Sequence, residues 1–89
     1  MTEFQKRILN YLKKCPNEMA DLWEIAQAGF PEKWAHRSGR GALIGHIDRA
    51  GVKAGCIRIP PQDQYHTAVL ALPEKDRWLS RGAEIAGAR

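Results

Sequence analysis

Arg40, His46 and Arg49 are the residues of this chain best suited by type and spacing to recognise a partner. They lie in one stretch, SGRGALIGHIDRAG, residues 38–51. An arginine can give two hydrogen bonds to O6 and N7 of guanine, the commonest base-specific contact in the DNA major groove. Ala42 and Gly45 beside them remove bulk. On the other side, Leu43, Ile47 and Ala50 stand at i, i+4 and i+7, one face of a helix, and Ile44 widens it. A helix buried on one side and closely approachable on the other suits insertion into a groove. Ser38 is the expected N-cap, and Gly51 the expected left-handed stop. Ser38 and Gly39 would also offer backbone N–H groups at the helix start, where the dipole favours a phosphate. The glycines here run G-x-G-x-x-x-G, with no strand before them and no P-loop lysine after them, so they do not form a nucleotide fingerprint.

The charge distribution points the same way. The formal charge of +4 comes entirely from the middle third. Residues 1–29 and 61–89 each balance four basic against four acidic side chains. Residues 30–60 hold Lys33, Arg37, Arg40, Arg49, Lys53 and Arg58 against only Glu32 and Asp48. A local basic excess is the electrostatic mark of polyanion binding. Lys33, Arg37 and Lys53 fit contacts to phosphates, which set register without reading sequence. Each residue also has a plainer reading. Arg49 could hold a surface salt bridge, and His46 could be an exposed polar residue.

Catalysis finds little support. His36, His46 and His66 fall on three different predicted elements, and no Cys-x-x-Cys, His-x-x-x-His or paired-carboxylate spacing occurs. No catalytic residue, metal or cofactor is expected. Trp23, Trp34 and Trp78 could stack on single-stranded bases, but their spacing with Leu22, Ile25 and Leu79 fits core packing better. Cys15 and Cys56 are expected as thiols, in a cytoplasmic chain. The longest apolar run, Ala68–Leu72, is far short of the ~20 residues of a membrane span.

These residues need elements to position them. With 89 residues, the chain has room for one small core. Thr2 and Gln5 have capping-box spacing, and Phe4, Ile8, Tyr11, Leu12 and Cys15 follow helical spacing, so a first helix is predicted from about Glu3 to Lys14. Met19 and Ala20 form a short strand or a tight entry. Asp21–Ala28 is predicted as a second helix, with Gly29 its stop. Pro31–His36 reads as a short helical turn anchored by Trp34. A continuous helix from Pro31 to Ala50 would hold three internal glycines at ~1 kcal/mol each, so a break near Ser38 is preferred. Cys56–Ile59 alternates as a half-buried strand. Residues 60–64 form a polar turn and Tyr65–Leu72 a second strand. Arg58, Gln62, Gln64 and His66 belong to this hairpin, whose tip could equally be an ordinary polar turn. Glu74–Arg81 reads as a last helix in a frayed tail.

Helix, helix, helix, hairpin: over roughly residues 3–73 this α+β order resembles a winged helix-turn-helix domain. The residues carrying the resemblance are DLWEIAQAG, IDRAGVKAG and CIRIPPQDQYHTAVLAL. It implies a domain over 1–73 with a helical tail over 74–89. In that family the third helix enters the major groove and the wing touches backbone or minor groove. The expected partner is double-stranded DNA, bound by a small transcriptional regulator acting as a homodimer or with a larger protein. The connection before Ser38 is longer than the family's usual turn. A recognition helix starting at Pro31 would shift the base-facing set toward Lys33, His36 and Arg37. The alternatives are a protein-interaction module and an RNA-binding domain of the same fold, because fold does not fix function.

Overall fold

A computed structural model describes residues 1–72 of the chain. The predicted C-terminal helix, with Trp78 and Leu79, lies outside the described residues.

Helix α1 spans Glu3–Lys14. Its start is the predicted capping box. Thr2 Oγ1 accepts from the Gln5 N–H at 3.2 Å, and Gln5 Oε1 accepts from the Thr2 N–H at 2.9 Å. Ile8, Leu9 and Leu12 carry its buried stripe. A 3-10 turn, Pro16–Glu18, follows, with Asn17 and Glu18 at φ of 58° and 55°. Asparagine tolerates that left-handed region, whereas glutamate is strained in it.

Strand β1 is Met19–Asp21. Asp21 then caps helix α2, Leu22–Glu24, its Oδ1 accepting from the Glu24 N–H at 2.7 Å. The helix continues as a π-helical segment, Ile25–Gly29. Phe30, fully buried, leads into helix α3, Pro31–Trp34, with proline in the first turn. A 3-10 turn over Arg37–Gly39 precedes helix α4, Arg40–Lys53.

Two expectations about α4 are corrected. Ser38 does not cap it: Gly39 occupies the cap with no side-chain hydrogen bond, and the helix begins at Arg40. Nor does Gly51 stop it. The stop is Gly55, at φ 96°. The Gly55 N–H donates to Val52 O at 3.0 Å, and the Cys56 N–H to Gly51 O at 2.9 Å, a Schellman closure. Gly51 serves a different purpose. A Cβ there would lie 2.4 Å from Leu70 Cδ1, so the glycine lets the helix close onto the sheet.

That sheet has three antiparallel strands in the order β1-β3-β2, with β2 at Ile57–Ile59 and β3 at Val69–Ala71. Beyond the predicted hairpin, β1 has joined the other edge of β3. Leu70 pairs with Ala20 on one side and Arg58 on the other, which puts all three on the helix-facing side. The expected half-burial of the first hairpin strand is corrected: Ile57, Arg58 and Ile59 are all exposed. The isoleucines sit on the face turned away from the helices, and Arg58, at an inward position, reaches past the edge to a carboxylate.

The core joins Ile8, Leu12, Ile25, Phe30, Ile47, Leu70 and Leu72, all fully buried. Arg7 ties its helical side together. Its Nη1 and Nη2 donate to the Glu32 carboxylate at 2.9 and 2.6 Å, Nη2 also to Gly29 O at 2.6 Å, and its guanidinium lies 4.2 Å over the Phe30 ring. The Arg7 hydrogen bonds pull Glu32 down from 4.5 to about 2. A depressed carboxylate stabilises the fold above its unfolded pKa, and that contribution is lost as pH falls through the folded value. The melting-temperature gap between wild type and Glu32→Gln should therefore be full above about pH 4.5 and close as pH approaches 2. Urea unfolding should separate the glycines. Gly51→Ala should cost about 1–3 kcal/mol by overpacking against Leu70. Gly41→Ala, with nothing within 4 Å of the new methyl, should gain up to about 1 kcal/mol.

Candidate nucleic-acid interface

Helix α4 divides as its sequence predicts. Leu43, Ile47, Ala50 and Gly51 are buried. Gly41, Ala42, His46, Arg49, Val52 and Lys53 are exposed, with Gly45 half-buried between them. The first half of this outer face is nearly smooth. Around Gly45 the only atom near an added Cβ is Arg49 Nη1, at 3.5 Å. The Arg49 guanidinium therefore lies back along the helix, over the space that Gly45 leaves open.

Two clefts open along this face, one over the first half of α4 and one over the second. One, of about 300 Å³, is lined by Phe4, Lys33, His36, Gly39, Ala42, Leu43 and His46. The other, of about 360 Å³, is lined by Asp48, Arg49, Val52, Lys53 and Arg58. The expected phosphate-contacting residues thus separate: Lys33 and Gly39 border the first cleft and Lys53 the second, while Arg37 and Ser38 are exposed in the 3-10 turn.

The three expected base readers stand in different environments. Arg49 is exposed on this face. His46 is exposed but held: its ring stacks on Phe4, centroids 4.0 Å apart and 9° from parallel. Arg40 is turned inward. Its Nε donates to Trp34 O at 2.7 Å, and its guanidinium lies 4.4 Å over the Trp34 ring. Arg40 thus links the start of α4 to α3. Its glycine-flanked place in the sequence gave no hint of this, since the link depends on where Trp34 lies.

The wing candidates divide likewise. Arg58 Nε donates to both oxygens of Asp48, at 2.9 and 3.1 Å, tying β2 to α4. Gln62, Gln64 and His66 are exposed on the β2–β3 loop. His66 Nδ1 lies 2.7 Å from Asp63 Oδ1, and that contact, with the Tyr65 N–H at 2.8 Å, holds Asp63 below the usual carboxylate range. Sequence reasoning missed the pairing of Phe4 with His46. Their 42-residue separation leaves no local signal. Among the described residues no group of three or more His, Cys, Asp or Glu could hold a metal ion, and no helix is long and apolar enough to cross a membrane.

Arg40 and Arg49 should respond differently to lysine. Arg40→Lys keeps the charge but loses the Nε bond and the planar stack, and should cost about 1–2 kcal/mol in urea unfolding. Arg49→Lys should be close to neutral in the same assay. Comparison with protein-family models, with curated proteins and with solved structures found no match for this chain.

Proposed function

We propose that this chain is a non-enzymatic DNA-binding protein of the winged helix-turn-helix type, acting in transcriptional regulation. One observation carries the reading: α4 presents an exposed face of small and basic residues, Ala42, Gly45, His46, Arg49 and Lys53, with one cleft over its first half and another over its second, each containing a cation. The major groove is about 12 Å wide and admits one α-helix. In this reading the exposed face of α4 enters it, and Lys33 and Lys53 meet backbone phosphates bordering the groove. The smooth first half of α4 allows close approach, and Arg49 is the base reader. The tie between Arg58 and Asp48 fixes the hairpin relative to α4, so that Gln62 and Gln64 follow the helix as a wing. The order helix, strand, two helices, hairpin, with the hairpin paired to the earlier strand, supports the same fold assignment.

So small a recognition surface makes few base contacts. Two copies on half-sites about one DNA turn apart, or one copy joined to a larger partner, would supply the missing affinity. Light scattering with and without a selected operator tests this: a strict monomer in both would sink the dimer.

The main test is fluorescence anisotropy on random duplex DNA over a salt series. Neutralising four to six phosphates should give a log–log slope of roughly −4 to −5. Lys33→Ala and Lys53→Ala should each reduce its magnitude by about one, and Arg49→Ala should weaken binding to a selected site by about 1–3 kcal/mol and relax its specificity. Absence of binding at low salt would overturn the reading in favour of a protein-interaction module. Preference for structured RNA over duplex DNA would replace it with RNA binding.

A further inference from the structure

A third cleft, of about 240 Å³, is lined by Asp21, Trp23, Tyr65, His66 and Thr67 and shares no residue with the two beside α4. It forms where the β2–β3 loop returns to the start of α2. The Leu22 N–H donates to Thr67 Oγ1 at 3.1 Å and to Ala68 O at 3.0 Å, which fixes the two walls together. The aromatic lining faces water: Trp23 is 50% exposed and Tyr65 83%. Two large exposed rings bordering one cleft in so small a domain mark a binding surface. The Trp23 ring is also held in place, edge-on to Trp34 at 5.4 Å and 63°. A preset wall lowers the entropy cost of binding.

Charge identifies the ligand. Residues 17–24 and 60–69, which build this cleft, contain Glu18, Asp21, Glu24 and Asp63 but no lysine or arginine, in a chain of net charge +4. Among the described residues that line the cleft the only basic group is His66, already facing Asp63, and the neighbouring Arg40 is engaged on the Trp34 ring. Asp21 lines the cleft, with its carboxylate oriented by the Glu24 N–H. Aromatic faces beside a fixed carboxylate attract a cation, and a planar guanidinium can both stack and pair. The molecule uses this stack twice internally, Arg7 over Phe30 and Arg40 over Trp34. We infer that the cleft seats an arginine side chain from a basic segment of a protein partner, the guanidinium resting on Trp23 and Tyr65 with Asp21 as its counter-charge.

The test is a titration of the ¹⁵N-labelled full chain with Nα-acetyl-arginine amide, following the Trp23 indole N–H resonance. Nα-acetyl-citrulline amide serves as the uncharged isostere. A saturable shift with a midpoint on the order of millimolar is expected for a single guanidinium, with citrulline about ten-fold weaker or more. Asp21→Asn keeps the cap but removes the charge, and Tyr65→Ala removes an exposed ring. Each should weaken binding by about five-fold, while Tyr65→Phe should preserve it. Equal binding of citrulline, an unmoved indole resonance, or unchanged affinity in Tyr65→Ala would overturn the assignment. No DNA enters the experiment, so its outcome is independent of the DNA reading.

Discussion

The close approach of Gly51 to Leu70 is the constraint on which the fold depends. Gly51 lies on the buried face of helix α4, and Leu70 is one of two buried residues of the central strand. Only a position without a Cβ lets the two meet at this distance. The helix thereby gains van der Waals contact along its buried stripe, and the strand is locked in register with β1 and β2. The Asp48–Arg58 pair reinforces the arrangement from the edge. Its exposed position makes it a device for orientation more than for stability.

The helical side is held differently. Arg7 and Arg40 each combine a hydrogen bond to a backbone carbonyl with stacking on an aromatic ring. Each spans two elements: Arg7 joins α1 to α3, and Arg40 joins α4 to α3. Short helices such as Pro31–Trp34 cannot persist alone. Two guanidiniums tie this one from opposite ends. Part of the basic excess of the middle third is therefore architectural. The electrostatic surface left for a partner is narrower than the charge count implies, centred on Lys33, Arg49 and Lys53.

The sequence made local structure legible and hid what depends on distance along the chain. The capping box at Thr2 and the α4 stripe follow from three- and four-residue spacings, and both are present. The joining of Met19–Asp21 to Val69–Ala71 pairs residues about fifty positions apart, and three-residue strands have too few positions to show a period. The helix stop was misread because Gly51 and Gly55 are both plausible glycines. Only the sheet beneath reveals that the first is needed for space and the second for φ. For the site, the exposed face of α4 was readable from its periodicity. Which of its cations remain outward was not, because that depends on where Trp34 and Asp48 lie.

The outer sheet edge has a consequence for self-association. Strand β2 shows water two isoleucines, 44% and 40% exposed, along an edge of only three residues. Among the described residues this edge has no partner strand, and such edges template strand addition from other chains. Pro60 and Pro61 follow at once. Neither can donate a ladder hydrogen bond, so an added strand would find no continuation past Ile59. Arg58 between the isoleucines keeps a charge on the same edge. The prolines that begin the hairpin loop thus also limit strand addition beside the exposed isoleucines.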